Sequence, residues 1–222
     1  MKRALTIMFI LAVSILTQGC GQKQPVRRLE VAIDYSGSMF EKMPSGMTLI
    51  EENKGRINYA IDSESCESTV NLYKFRSKPI LESSKKPKNA NEYVGVINKI
   101  IAEGATDDKG TYLAPILQQF LVDAQSSDLP TYGVIITDGE CFDAGETYKA
   151  AEQLANQSNF HYLLIGPVNA DINLDLQNRI FAKLKAAGKL RVCTMDDFQS
   201  GFDAFKDAED QLGETEQGAN HE

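Results

Sequence analysis

The stretch Leu29-Glu30-Val31-Ala32-Ile33-Asp34-Tyr35-Ser36-Gly37-Ser38 decides how this chain folds. Its first part, from Leu29 to Asp34, is almost continuously apolar, which is typical of a β-strand covered on both faces. Such strands occur in parallel sheets that lie between layers of helices. The acid and the two serines at the end of the stretch place side-chain oxygens where this strand ends.

Predicted strands and helices alternate along the rest of the chain. Apolar patterns predict further strands over 69–75, 78–82, 132–137, 160–165 and 190–194, and helices over 48–61, 91–103, 112–124, 146–156, 173–187 and 197–211. This alternation predicts an α/β fold: one doubly wound domain over 29–211, with a mostly parallel central sheet flanked by helices on both faces. Pro79 places the strand over 78–82 at an edge of the sheet.

The composition excludes several classes of protein. The chain has 222 residues, 42% of them hydrophobic, and carries 23 Lys and Arg against 31 Asp and Glu, a formal net charge of -8. That length supplies one sizeable core, and the acidic balance argues against a nucleic-acid binder. The histidines, His161 and His221, cannot form a zinc-binding cluster, and a Ser-His-Asp triad would depend on His161 alone.

The N-terminal segment has the features of a signal peptide. Lys2 and Arg3 precede an apolar run over 4–16, which is short for a membrane-spanning helix, although an uncleaved anchor remains the alternative. The following Leu16-Thr17-Gln18-Gly19-Cys20 resembles the lipobox of bacterial lipoproteins. The resemblance implies a signal peptide over 1–19 and a lipid on Cys20, followed by a linker over 20–28. It also implies a lipid-anchored protein of the bacterial cell envelope, at the outer membrane and facing the periplasm or the surface.

Two further expectations concern the cysteines and the C-terminus. With Cys20 acylated, Cys66, Cys141 and Cys193 remain, which allows one disulfide plus one thiol, or no disulfide at all. The small, polar and acidic segment 212–222 is expected to be a disordered tail.

Oxygen-bearing side chains follow the predicted strands at the edge of the sheet where ligands of such folds bind. Asp34, Ser36 and Ser38 follow the first strand, Asp138 follows the strand over 132–137, and Thr111 precedes a helix. Together they offer two carboxylates and three hydroxyls, the oxygen ligands that suit a hard cation such as Mg²⁺. The alternative without a metal is that the serines only cap the following helix and that Asp138 only belongs to a turn.

These residues resemble the metal-ion-dependent adhesion site of von Willebrand factor type A (VWA) domains. Asp34, Ser36 and Ser38 match the D-x-S-x-S motif of that family, Thr111 its isolated threonine, and Asp138 the aspartate of its "TDG" turn. The resemblance implies that Ser36, Ser38 and Thr111 ligate Mg²⁺ directly, with Mn²⁺ or Ca²⁺ as substitutes, while Asp34 and Asp138 act largely through water and hydrogen bonds. An acidic side chain of a partner protein would complete the coordination.

The sequence therefore predicts a binding protein and not an enzyme: a membrane-anchored lipoprotein that binds a partner through a divalent cation. Two alternatives stay open, a structural subunit of an envelope assembly with a vestigial metal site and a metal-dependent hydrolase. A contact patch at the rim could include Tyr35, Met39, Phe40 and Met43, or these side chains could pack into the core beneath the loop.

Overall fold

In the described part of the chain, six strands form a single sheet, and the strand predicted over 29–34 lies near its centre. The computed structural model describes residues 26–62, 64, 67–86, 91–104 and 110–219. Its strands are β1 (Arg28–Asp34), β2 (Thr69–Phe75), β3 (Pro79–Lys85), β4 (Thr131–Ile136), β5 (Phe160–Val168) and β6 (Leu190–Thr194). They lie in the order β3-β2-β1-β4-β5-β6. β3 pairs with β2 in the antiparallel sense at one edge, as Pro79 predicts, and the other pairings are parallel.

Helices cover both faces of the sheet, which confirms the doubly wound α/β prediction. They are α1 (Leu49–Asp62), α2 (Asn91–Glu103), α3 (Ala114–Gln125), α4 (Ala144–Ala155), α5 (Ala170–Asp175), α6 (Ala182–Ala186) and α7 (Phe198–Ala219). A cluster of buried side chains from α1, α2 and α7 packs on one face, and a second cluster from α3, α4 and the α5–α6 region packs on the other. None of the helices in the described part of the chain has the length and apolar character that crossing a bilayer requires.

Strand β1 is apolar on both sides because it contributes to both clusters. Leu29, Val31 and Ile33 belong to the first cluster and Ala32 to the second, and all of them are fully buried. Successive side chains of a strand point to opposite faces, so Asp34 follows Ala32 on the second face.

The helix predicted over 173–187 is interrupted. The chain forms α5, then a π-helical turn at Leu176–Ile180, and then α6. The Phe181 N–H donates to the Leu176 carbonyl at 2.8 Å, a hydrogen bond that spans one residue more than in an α-helix. The extra residue brings Leu176, Ile180, Phe181 and Leu184 all into the second cluster. Periodicity reveals apolar positions and does not reveal a local change of helical pitch.

Helix α7 runs into the segment that the sequence analysis assigns to a tail. Helix α7 continues to Ala219 instead of ending near 211. A helix that is already anchored in the core extends at little cost through residues such as Glu, Gln and Ala, since the unfavourable step is nucleation. Residues 220–222 lie outside the described part of the chain.

Other predictions fall partly outside the described residues. The predicted signal peptide over 1–19, Cys20 and most of the linker over 20–28 are among them, as is Cys66. In the described part, Cys141 is a partly buried free thiol and Cys193 a buried one.

Candidate metal centre

The parallel pairing of β1 with β4 brings the predicted site residues to one edge of the sheet. Ile33 of β1 stands opposite Ile136 of β4, so the next residues of both strands, Asp34 and Thr137, emerge side by side. Asp138 follows directly. The carboxyl ends of the two strands thus hold two acids and a threonine, where the open edge of such a sheet binds ligands.

Asp34 lies at the centre of the site. Its side chain is fully buried. Its Oδ1 accepts the Ser36 N–H at 2.8 Å, and its Oδ2 accepts hydroxyl hydrogen bonds from Thr111 at 3.0 Å and from Thr137 at 2.8 Å. A single carboxylate therefore joins the loops after β1 and β4 to the segment before α3.

The two serines lie together on the loop after β1. A 3-10 turn at Gly37–Phe40 follows Ser36, whose backbone is extended. This arrangement places the Ser36 and Ser38 hydroxyl oxygens 3.2 Å apart. Two neighbouring ligands of an octahedral Mg²⁺, each about 2.1 Å from the ion, lie about 3 Å apart. The spacing of the serine oxygens is therefore compatible with shared coordination.

Backbone hydrogen bonds on both sides hold Thr111 in place. The N–H of Tyr112 donates to the Arg76 carbonyl at 2.8 Å, and the N–H of Phe142 donates to the Thr111 carbonyl at 3.0 Å. Gly110 has a φ of 113° and packs where a Cβ would lie 3.2 Å from the Phe142 ring. Glycine tolerates this left-handed conformation and also the close approach of the ring.

Asp143 completes the same support, and the sequence reasoning missed it. Its carboxylate accepts the backbone N–H groups of Leu113 and Ala114, each at 2.9 Å, and the Thr147 hydroxyl at 2.9 Å. An acid from the loop after β4 thereby caps the start of α3, next to Thr111. Its position just before a helix resembles an ordinary cap of α4, so the sequence contains no signal for the contact with α3.

Asp138 is largely buried and lies beside the group of side chains around Asp34. Its Oδ1 accepts the Glu140 N–H at 3.2 Å, and its carbonyl accepts the Asn169 N–H at 2.8 Å. Gly139 has a φ of 91°, and a Cβ there would lie 2.9 Å from Val168 and from Leu176. Only glycine fits this turn, because both the backbone conformation and the available space exclude a side chain.

The site carries an electrostatic penalty that a cation would relieve. The pKa of Asp34 is raised to about 6, chiefly by burial and also by the nearby Asp138 charge, although the hydrogen bonds from Ser36 and Thr137 act to lower it. The net rise in pKa means that the loss of hydration destabilises the charged carboxylate more than its hydrogen-bond donors stabilise it. A divalent cation at this edge would offset the repulsion between the two carboxylates.

The donor set fits a hard cation. Within the described residues, no three His, Cys, Asp or Glu side chains come together as a metal-binding group. A cation would therefore depend on the serine and threonine hydroxyls, which together with carboxylates suit Mg²⁺. Burial raises the pKa of the Cys141 thiol to about 11, so this nearby sulfur is protonated at neutral pH and is a poor ligand.

The apolar rim differs from the set considered in the sequence. Met39 is fully buried, and Phe40 and Met43 pack against the first cluster, so for these three residues the core interpretation is correct. Tyr112 and Phe142 are exposed instead, and their rings lie 6.3 Å apart.

Comparisons with known proteins identify the fold. No protein-family model matches the chain, and no curated protein matches it. The PilB minor pilin from Streptococcus sanguinis superimposes with a TM-score of 0.64 and 13% identity over 87% of this chain, which spans 62% of the pilin. An aerotolerance-related membrane protein from Bacteroides fragilis gives a TM-score of 0.61 and 15% identity, over 83% of this chain and 99% of that one.

A third solved structure carries the name of the family that the motifs resemble. The von Willebrand factor type A protein from Catenulispora acidiphila matches with a TM-score of 0.61 and 14% identity, over 83% of this chain and 42% of that chain. At such low identity the likeness concerns the fold alone. The topology, the strand order and these neighbours agree that the chain has the fold of a von Willebrand factor type A domain.

Proposed function

We propose that this protein is a lipid-anchored binding module of the cell envelope that holds a partner protein through a divalent cation at Asp34, Ser36, Ser38, Thr111 and Asp138. One observation carries the proposal. Asp34 accepts hydrogen bonds from the Ser36 N–H and from the Thr111 hydroxyl, while the Ser36 and Ser38 hydroxyls touch each other. Oxygen donors from separate loops thus converge at one edge of the sheet.

The chemistry of these donors favours a bridging cation. Ser36, Ser38 and Thr111 would supply neutral oxygens, and Asp34 is already engaged with three hydrogen-bond donors. Neutral ligands leave most of the positive charge of Mg²⁺ uncompensated. The cation would therefore attract a further anionic oxygen, and a Glu or Asp carboxylate of a partner protein supplies one.

Oxygen donors suit hard cations, so Mg²⁺ is the proposed ion and Mn²⁺ or Ca²⁺ could substitute for it. The lipid on Cys20 would hold the domain at the membrane. A structural neighbour that spans most of this fold is described as an aerotolerance-related membrane protein, which agrees with a place in the envelope.

Binding accounts for this edge better than catalysis does. The Asp34 carboxylate is fully buried and engaged with its donors, so it is poorly placed to act as a general base. His161 stacks on the Tyr132 ring at 5.6 Å. Both residues lie near the amino ends of their strands, whereas Asp34 lies at the carboxyl end of its strand. His161 therefore cannot complete a catalytic triad with Asp34.

The test is capture of partners from a bacterial envelope extract on the immobilised chain, with Mg²⁺ and with a chelator. We expect specific proteins to be retained with Mg²⁺ and lost with the chelator, and Asp34→Ala to abolish their retention. Glu30→Gln, which alters another buried carboxylate of β1, should retain them as the wild type does. Retention that ignores both the chelator and Asp34→Ala would refute the proposal and favour a structural subunit with a vestigial metal site.

A further inference from the structure

A cleft opens beside the candidate metal centre. It has a volume of about 290 Å³ and lies between the loop after β4 and the π-helical turn. Phe142, Ile172, Leu176 and Ile180 supply its apolar wall, and Glu140 lies on the same lining. We refer to this feature as the apolar cleft. It begins at Gly139, directly after Asp138, so the cleft and the centre share one loop.

The interrupted helix shapes the apolar cleft. Leu176 and Ile180 are the first and last residues of the π-helical turn, and both line the cleft. Gly139 allows the loop to approach this turn, since a Cβ there would lie 2.9 Å from Leu176. π-Helical turns often occur at functional sites, because they redirect side chains that a regular helix would place elsewhere.

Exposed aromatic side chains lie at the opening. Phe142, which lines the cleft, is 62% exposed. Tyr112, which is 37% exposed, lies next to the Phe142 ring. Contiguous apolar exposure of this kind, bordered by acids, is typical of a surface that binds another protein.

The size and charge of the cleft restrict its occupant. The cleft, at about 290 Å³, lies at the lower end of the range of about 300 to 1,000 Å³ for small-molecule pockets and has room for a single side chain. Asp175 forms an ion pair with Arg179 at 2.6 Å, which leaves Glu140 as the acid of the lining that attracts a cationic group. The whole chain is also acidic, with a formal net charge of -8.

We infer that the apolar cleft receives one apolar side chain, Leu, Ile, Met or Phe, of the same partner segment whose carboxylate completes the metal centre, and that a Lys or Arg of that segment faces Glu140. This inference rests on the proposed function, because the cleft and the metal centre would bind one continuous segment. The cation would recognise the acid, and the cleft would select which acidic segments bind.

Short fluorescent peptides provide the test. Each carries one Asp in a Gly-Ser background, and companion peptides add Leu and Lys at each of the other positions. Binding to the full chain is measured by fluorescence polarisation with Mg²⁺ and with a chelator. Burying one leucine side chain strengthens binding by about tenfold to a hundredfold, and we expect that gain at a restricted set of spacings from the Asp.

Variants locate the gain. Phe142→Ala combined with Ile172→Ala should remove most of the gain in affinity that Leu provides. Ile172→Ala alone should reduce that gain while leaving Phe142, whose N–H donates to the Thr111 carbonyl, intact. The matched control combines Leu81→Ala and Val122→Ala, which remove side chains that are 52% and 55% exposed on β3 and α3. It should leave the gain intact. Glu140→Lys should abolish the preference for Lys in the peptide.

The outcomes separate the cleft from the metal centre. If the Asp peptides bind only with Mg²⁺ and Leu adds nothing at any spacing, or if the gain survives the cleft variants, the inference is wrong and the proposed function stands. If the gain persists with the chelator and still needs Phe142 and Ile172, the cleft binds apolar side chains as inferred and the proposed metal bridge fails.

Discussion

Strand β1 carries two buried carboxylates on the same face, and they have different surroundings. Glu30, in the middle of the strand, accepts the Asn71 amide at 3.1 Å, and the Arg28 Nε lies 3.8 Å from the same oxygen. Asp34, at the end of the strand, accepts one backbone N–H and two hydroxyls. Burial is complete for both residues. The difference is that only the end of the strand is reached by loops.

The two surroundings lead to different chemistry. Burial raises the pKa of Glu30 well above its ordinary value, and the nearby Asp123 raises it further. Both effects favour the protonated form of Glu30. At Asp34 the neighbouring groups are hydroxyls whose oxygens remain able to bind a cation. Burial alone therefore does not distinguish the two acids, and the proposed cation site depends on the oxygens that the loops place around Asp34.

The largest effect is expected from Asp34→Ala. The change leaves the Ser36 N–H and two buried hydroxyls without their acceptor, which should lower the free energy of unfolding by about 2–4 kcal/mol. It should also remove the stabilisation that bound Mg²⁺ confers on the folded state. Urea denaturation with and without Mg²⁺ measures both effects. A variant that Mg²⁺ still stabilises as strongly as the wild type would place the cation elsewhere.

The strand pattern of the sequence predicts both the sheet and most residues of the candidate metal centre. Strand patterns identify β1 and β4, parallel pairing aligns their carboxyl ends, and Asp34, Ser36 and Asp138 follow those ends directly. Thr111 stands apart in sequence and follows no predicted strand, so its position before a predicted helix and the resemblance to VWA domains connected it with the others. Its hydrogen bond to Asp34 is the contact that the structure adds.

Glu30→Gln should produce the opposite effect on stability. Because the pKa of Glu30 is raised in the folded chain, the folded state binds a proton that the unfolded state releases above its ordinary pKa near 4.5. The stability from that proton is complete below pH 4.5 and is lost as the pH rises through the folded pKa. Glutamine has no proton to lose, so the difference in the free energy of unfolding between the variant and the wild type should grow towards pH 8 in favour of the variant.

Unfolding free energies of both chains, measured from pH 4.5 to pH 8, test this prediction. The pH dependence of Asp34 is common to the two chains and cancels in their difference. The response to Mg²⁺ should be unchanged by Glu30→Gln. A difference that shrinks as the pH rises would mean that Glu30 is ionised in the folded chain.

A smaller effect is expected from Asp143→Asn. One of the oxygens that cap α3 becomes an amide, so the N–H of Leu113 or Ala114 loses its acceptor, at a cost of about 1 kcal/mol. The affinity for Mg²⁺ should fall as well, because Thr111 precedes the capped residues. Calorimetric titration with Mg²⁺ alongside thermal unfolding measures both quantities. Unchanged affinity at reduced stability would separate this cap from the metal centre.

Long-range contacts of this kind explain what the sequence could not reveal. Asp143 caps a helix that begins far from it in sequence, and no local pattern encodes that pairing. The π-helical turn at Leu176–Ile180 arises because several apolar residues must face one cluster, which a regular helix cannot achieve. The continuation of α7 to Ala219 depends on the anchored first part of the helix. In each case the tertiary structure determines a local conformation.

Ser38→Ala is expected to have the smallest effect on stability and to act mainly on the affinity for the metal ion. The Ser38 hydroxyl contacts the Ser36 hydroxyl at 3.2 Å and is partly exposed. Its loss should change the free energy of unfolding by less than about 0.5 kcal/mol. If Ser38 is a ligand, the affinity for Mg²⁺ should nevertheless fall by about tenfold or more. Equal affinity in the calorimeter would exclude Ser38 from the coordination.

Titration with Mn²⁺, followed by the loss of the electron paramagnetic resonance signal of the free ion, tests the central claim most directly. The wild type and Glu30→Gln should each bind a single Mn²⁺ that excess Mg²⁺ displaces. Asp34→Asn, which keeps the size of the side chain and removes its charge, should bind it far more weakly. The account would be contradicted if the wild type showed no saturable binding, or if Asp34→Asn bound Mn²⁺ as tightly as the wild type.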